Sequence, residues 1–174
     1  MKRSIIFLTI VLSVSLLPSV TAQEGKDLTG MITRKNGLRI TVGGNGILFS
    51  GEYSRVLSVR ASFFTEASLG LGTVPFSGGI VVPHQFTWNI GRHTNFFEAG
   101  LGGTFWTGKT DDSAYEERDY SYSLSPVIGY RKLFGRQRWT FRIFATPLIR
   151  IAGPSLYNDW AVTPWAGISI GFNF

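Results

Sequence analysis

The most constraining feature of this chain is its end, where apolar residues occupy every second position from Trp160 to Phe174. Trp160, Val162, Pro164, Ala166, Ile168, Ile170, Phe172 and Phe174 share one face of an extended segment, and Thr163, Gly167, Ser169, Gly171 and Asn173 share the other. Period-two alternation describes a β-strand with one apolar and one polar side. Trp139 to Arg150 repeats the pattern, with Phe141, Ile143 and Ala145 opposed by Arg142, Phe144 and Thr146. Read backward, the same rule predicts strands near residues 120–132, 96–106, 79–90, 58–70, 47–57 and 37–44. That makes eight.

The predicted connections are short at Val56–Ser58, Gly91–Asn95 and Phe134–Arg138, and longer at Gly70–Gly78, Thr107–Asp119 and Ile151–Asp159. Short turns on one side and longer loops on the other suit an up-and-down barrel that crosses a membrane. Gly44-Asn45-Gly46 departs from this, because it reads as a tight hairpin on the long-loop side.

A soluble sandwich buries its apolar stripe and a membrane barrel exposes it, so the charges within strands discriminate between the two. Arg39, Glu52, Arg60, Glu66, Glu98, Arg131 and Arg142 are all expected opposite the apolar stripe, beside Ser62, Gln85, Thr87, Ser125 and Gly129. Eight strands enclose just enough room for side chains to fill. The expectation is therefore a polar lumen closed by paired charges, including Glu98 with Arg131 or Arg142, and an apolar exterior facing lipid. Phe64, Phe144, Trp106 and Trp165 add bulk to the inward set.

Aromatic residues provide an independent test, since Trp and Tyr favour the two membrane interfaces. On the apolar faces, Tyr53, Trp88, Phe97, Tyr130, Trp139, Phe172 and Phe174 fall toward the short turns, and Phe49, Phe105, Tyr120, Tyr122 and Trp160 toward the loops. Two girdles emerge.

The N-terminus supplies an address. Lys2 and Arg3, the apolar run Ile5–Leu17 and the small residues Val20-Thr21-Ala22 read as a cleaved signal peptide, too short to be a spanning helix. The predicted organisation is residues 1–22 signal peptide, 23–36 a periplasmic N-terminal segment, and 37–174 an outer-membrane β-barrel domain. No cysteine is present, which rules out disulfides, a lipidated cysteine and thiolate metal sites. Net charge is +6, or +4 without Lys2 and Arg3, with no dense basic stretch, so nucleic acid is not an expected partner.

The ending Ile168-Ser169-Ile170-Gly171-Phe172-Asn173-Phe174 resembles the assembly signal of outer-membrane proteins, which implies that Ile168, Ile170, Phe172 and Phe174 are read by the outer-membrane assembly machinery. The segments Phe97-Glu98-Ala99-Gly100-Leu101-Gly102, Pro126-Val127-Ile128-Gly129-Tyr130-Arg131 and Pro164-Trp165-Ala166-Gly167-Ile168-Ser169 resemble a family of small uncharacterised barrels from Bacteroidota. That family brings no assigned activity. In shape the chain is similar to the OmpA, OmpX and OmpW types.

Other motifs carry less. Gly103-Thr104-Phe105-Trp106-Thr107-Gly108-Lys109-Thr110 fits a phosphate-binding loop in spelling, but its first half continues a strand and no helix is expected at Lys109-Thr110. His84 is expected in mid-strand on the lipid face and His93 in a short turn, at different depths, so they cannot share a zinc ion, and neither is followed by the His-x-Ser-Asn arrangement of the barrel lipid A deacylases. Residues 107–119 form an acidic loop with five carboxylates against Lys109 and Arg118, which reads first as a solvated loop.

The leading functional expectation is a non-enzymatic, monomeric outer-membrane barrel without catalytic residues, metal or cofactor. Its expected partners are membrane lipid and lipopolysaccharide, with any surface partner unspecified. A conduit for small, hydrophobic molecules and a lipid-modifying enzyme are the alternatives.

Overall fold

An extended chain leaves its backbone N–H and C=O groups pointing sideways, and a sheet satisfies all of them only by closing on itself. The computed structural model describes residues 28–74, 79–108, 119–153 and 162–174, and in it the alternating runs close into an all-antiparallel β-barrel. The strands are β1 (Asn36–Gly43), β2 (Phe49–Val59), β3 (Phe63–Val74), β4 (Gly79–Arg92), β5 (Asn95–Gly108), β6 (Asp119–Phe134), β7 (Trp139–Ala145), β8 (Leu148–Ala152), β9 (Val162–Thr163) and β10 (Ala166–Asn173). Neighbours pair in sequence from β1 to β7, and β10 fills the gap between β7 and β1. The signal peptide expected over residues 1–22, Trp160, and most of the acidic loop lie outside the described residues.

Ten segments make eight staves. β7 and β8 are one path interrupted at Thr146-Pro147, and β9 and β10 one path interrupted at Pro164-Trp165. Proline removes a ladder donor. The two breaks lie side by side, joined by the Thr146 N–H donating to the Trp165 carbonyl at 2.8 Å.

Polarity is inverted relative to a water-soluble protein. Ile40 and Leu71, pointing outward, are 63% and 66% exposed, while Glu98 and Arg142, pointing inward, are 1% and 0% exposed. Tyr53, Trp88, Phe97, Tyr130, Trp139 and Phe172 are exposed toward the turn end, with Phe49, Phe105 and Tyr120 toward the loop end. Exposed apolar side chains on every strand mark an outer surface suited to contact with lipid or another apolar partner.

Two sequence expectations need correction. The turn expected at Val56–Ser58 is instead a β-bulge within the β2–β3 pairing, and the chain reverses at residues 60–62. A bulge inserts one unpaired residue and so flips the side-chain phase, which in sequence looks like a turn. The β3–β4 connection is also shorter than expected, because Gly70–Val74 belongs to β3 and leaves only residues 75–78 between the strands. Gly103 to Gly108 lie in β5, paired on both sides as far as Thr107 and with β6 alone at Gly108, so the phosphate-loop spelling sits in a sheet.

Candidate functional site

The lumen is stacked in three layers. At the middle, Arg39, Glu52, Glu66, Glu98, Arg131 and Arg142 come from β1, β2, β3, β5, β6 and β7, each at an inward position of its strand. Arg39 Nε donates to Glu52 Oε2 at 2.9 Å and its Nη1 to Glu66 Oε1 at 2.7 Å. Glu66 also accepts two bonds from Arg131, at 2.7 and 2.8 Å. Glu98 accepts from Arg131 Nε and Arg142 Nε, both at 2.9 Å, and pairs again with Arg142 Nη2.

Gln85 of β4 completes the circuit. Its carbonyl accepts from Arg142 Nη2 at 3.2 Å, and its amide donates to Glu52 at 3.4 Å. The side chains thus form a closed ring across the barrel: Glu52, Arg39, Glu66, Arg131, Glu98, Arg142, Gln85 and back to Glu52. Three guanidinium groups and three carboxylates cancel. Arg131 and Arg142 are direct cross-strand partners, a like-charge placement that is unfavourable alone, and Glu98 bridges both. Space for the ring comes from small inward neighbours: a Cβ on Gly70 would stand 2.6 Å from Glu52 Cγ, and one on Gly171 2.7 Å from Arg39 Cβ.

Toward the turn end lies an apolar layer of Val56, Phe64, Phe96 and Leu133, closed from below by Leu28 of a short helix α1 (Leu28–Met31) and by Ile32. Phe64 and Phe96 meet edge to face at 5.1 Å, and the Arg131 guanidinium lies 5.5 Å from the Phe64 ring centre. Residues 28–35 are held by the Val56 N–H donating to the Lys35 carbonyl at 2.7 Å and by Gln137 Nε2 donating to the Met31 carbonyl at 2.5 Å. The pocket between this segment and the ring, lined in part by Arg34, Glu66 and Thr140, has about 10 Å³ of water-accessible space, room for one water.

Toward the loop end, the β1–β2 connection turns inward rather than forming a tight hairpin. Asn45 and Ile47 are fully buried, with Ile47 against Val81 and Trp106. The Asn45 carbonyl accepts from Thr104 Oγ1 at 2.6 Å, its side-chain Oδ1 from Thr146 Oγ1 at 2.5 Å, and the Ile47 carbonyl from Trp165 Nε1 at 3.2 Å. Ile47 adopts φ +68°, unusual for a β-branched residue and held by these contacts. Gly44, at φ +62°, presses against Phe144, where a Cβ would stand 2.6 Å from the ring. The Arg142 guanidinium lies 4.7 Å from the centre of that same ring.

Six of the seven charged residues expected in the lumen are therefore brought together, and Arg60 is not. Arg60 is exposed at the start of the β2–β3 turn, as is Ser62, because the bulge shifts the reversal past Val59. Sequence reasoning placed Gln85 inward without seeing it as a link. It missed both plugs, whose signals are the apolar spacing of Leu28 and Ile32 and the break in alternation at Gly44–Leu48.

His84 lies half-buried on the outward face, and its Nε2 is 3.1 Å from the Tyr122 hydroxyl across Gly103. His93 is exposed in the β4–β5 turn at the other end. Ile168, Ile170, Phe172 and Phe174 are all exposed on the outward face, and Phe174 exchanges backbone hydrogen bonds with Asn36 at 2.8 and 3.2 Å.

No family model matches the chain, and no curated protein matches it. Among solved structures it is similar to the N-terminal β-barrel domain of OprF from Pseudomonas aeruginosa, with TM-score 0.54 and 14% identity over 81% of this chain and 98% of that one. At that identity the likeness carries the architecture: this chain has the fold of a small closed antiparallel barrel.

Proposed function

We propose that this chain is an integral outer-membrane β-barrel with a closed polar lumen, serving as a structural or surface-interacting protein rather than a conduit or an enzyme. The observation that carries the reading is the neutral ring of charges spanning the lumen between two plugs. A water path would have to separate ion pairs buried to a few percent exposure. The inverted polarity and the two aromatic girdles support lipid as the surrounding solvent. Phe172 and Phe174, outward at the turn end, suit recognition by the assembly machinery. With His84 facing Tyr122 and His93 at the opposite end, neither histidine supports the histidine and serine pair of a lipid-modifying enzyme.

The test is to fractionate expressing cells, check for heat-modifiable gel mobility, and record the purified protein in planar bilayers. The expected result is an outer-membrane protein with no steady conductance. Large, stable single-channel steps would overturn the closed lumen, and a mature chain found soluble in the periplasm would overturn the membrane location.

A further inference from the structure

The turn end of the barrel is strongly basic. Arg55, Arg60, Arg92, Lys132, Arg136 and Arg138 are all exposed there, and among the described residues no exposed acidic side chain accompanies them, since Glu52, Glu66 and Glu98 are buried in the ring. At the opposite end the described residues carry both signs, Asp119 at the start of β6 and an exposed Arg150 in β8, so the excess of exposed cations lies at the turn end.

Three of the six cations lie on the barrel wall and three at the turn tips. Arg55 is two positions beyond Tyr53 on the outward face of β2, Lys132 two beyond Tyr130 on β6, and Arg92 two beyond Ile90 on β4. The Tyr53 and Tyr130 hydroxyls donate to Asn36 Oδ1 and Asn95 Oδ1 at 2.8 and 2.7 Å, which marks the level where the apolar band gives way to polar groups. Leu57 and Phe134 follow Arg55 and Lys132 on the same outward face and are themselves exposed. The two cations thus sit within the lipid-facing surface, where a long side chain lays its stem on apolar neighbours and presents its charge at headgroup depth.

Building on the membrane reading, we propose that Arg55, Arg92 and Lys132 form a collar that binds the phosphates of anionic phospholipids in the leaflet at the turn end. Each cation near an anionic surface adds attraction that salt screens. Charge complementarity and outward placement select lipid over an acidic polymer in solution, which would meet Arg60, Arg136 and Arg138 first.

The test reconstitutes the whole mature barrel in phosphatidylcholine vesicles containing trace spin-labelled phosphatidylglycerol or spin-labelled phosphatidylcholine, and measures the motionally restricted fraction of each. The collar predicts roughly fivefold or greater preference for phosphatidylglycerol at low salt. That preference should collapse at about 1 M NaCl, where the screening length is roughly 3 Å. The triple variant R55Q/R92Q/K132Q should lose the preference, and R60Q/R136Q/R138Q should keep it. Equal restriction of both lipids by an inserted barrel, a preference unmoved by salt, or loss only in the turn-tip variant would overturn the collar alone. Failure of the wild type to insert into either vesicle would overturn the membrane reading and the collar with it.

Discussion

The middle of the lumen and its two ends are filled by different means. The ring is built wholly from strand positions, seven side chains on seven segments, each pointing inward because period-two geometry leaves no other choice. At each end the lumen is closed by chain that is not strand, Leu28 and Ile32 at one end and Gly44–Ile47 at the other, packed against inward strand residues. A ring shares each charge between partners, so a single deletion affects several groups. A plug residue acts through its own packing or its own hydrogen bond. The two regions therefore predict different mutational behaviour, and their difference can be broken or sharpened by measurement.

Glu98→Ala is expected to have the largest effect. It leaves Arg131 with Glu66 but takes both Nε partners from the Arg131 and Arg142 guanidinium groups, which are otherwise buried and directly opposed. Removing one member of a buried ion pair costs about 3 to 5 kcal/mol. Unfolding in denaturant from detergent micelles should show this as a lowered midpoint. Adding Arg142→Ala should restore part of the loss, because Arg131 keeps two bonds to Glu66 and no cation is then stranded. A double variant no more stable than Glu98→Ala would show that the residues do not act as a ring.

Leu28→Ala should come next. Leu28 is 1% exposed and packs in the turn-end apolar layer, and truncating a buried leucine costs at least about 2 kcal/mol. Unlike the ring variant, it should leave the barrel wall intact and mainly loosen residues 28–35, read out as faster backbone amide exchange at Ile32 and at Val56, whose N–H bonds the Lys35 carbonyl. Unchanged exchange at both amides would remove this segment from the closure.

Legibility in the sequence follows the same division. Arg39, Glu52, Glu66, Glu98, Arg131 and Arg142 were readable because alternation fixes facing within any uninterrupted strand. The specific circuit was not, since Arg39 reaching Glu66 and Arg142 reaching Gln85 join strands that are not adjacent, and side-chain reach across a lumen leaves no mark on periodicity. The plugs were unreadable for a second reason. One turn of helix at Leu28–Met31 is too short to establish a period and is stabilised by tertiary packing. The inward turn at Asn45 depends on hydroxyls of Thr104 and Thr146, 59 and 101 residues away.

Asn45→Ala tests that long-range dependence and should have a smaller effect than either variant above. It deletes the bond from Thr146 and strands that buried hydroxyl, a loss of about 1 to 3 kcal/mol, while the backbone carbonyl still accepts from Thr104. Asn45→Asp keeps an acceptor for Thr146 but buries a charge outside the neutral ring. It should therefore be worse than alanine. Equal midpoints for the two variants would place Asn45 in contact with solvent.

Arg60→Ala is the smallest expected effect and the sharpest test of the corrected register. By simple alternation back from Glu66 and Phe64, Arg60 belongs in the lumen with Arg39, and its removal would strand a carboxylate. The bulge between Val56 and Ser58 changes that, carrying β2 to Val59 and placing Arg60 in the exposed turn, where its backbone N–H donates to the Phe63 carbonyl at 2.8 Å. That bond survives truncation to alanine, and an exposed arginine gives up little when its charge is removed. The unfolding midpoint of Arg60→Ala should thus match wild type within replicate scatter, whereas Arg39→Ala, which leaves Glu52 and Glu66 each short of a partner, should fall well below it. A matched loss in the two variants would return Arg60 to the lumen and the turn to Val56–Ser58. Arg60→Pro separates the backbone from the side chain: it abolishes the N–H that closes the turn, so destabilisation by proline without destabilisation by alanine locates the contribution of this position in its backbone.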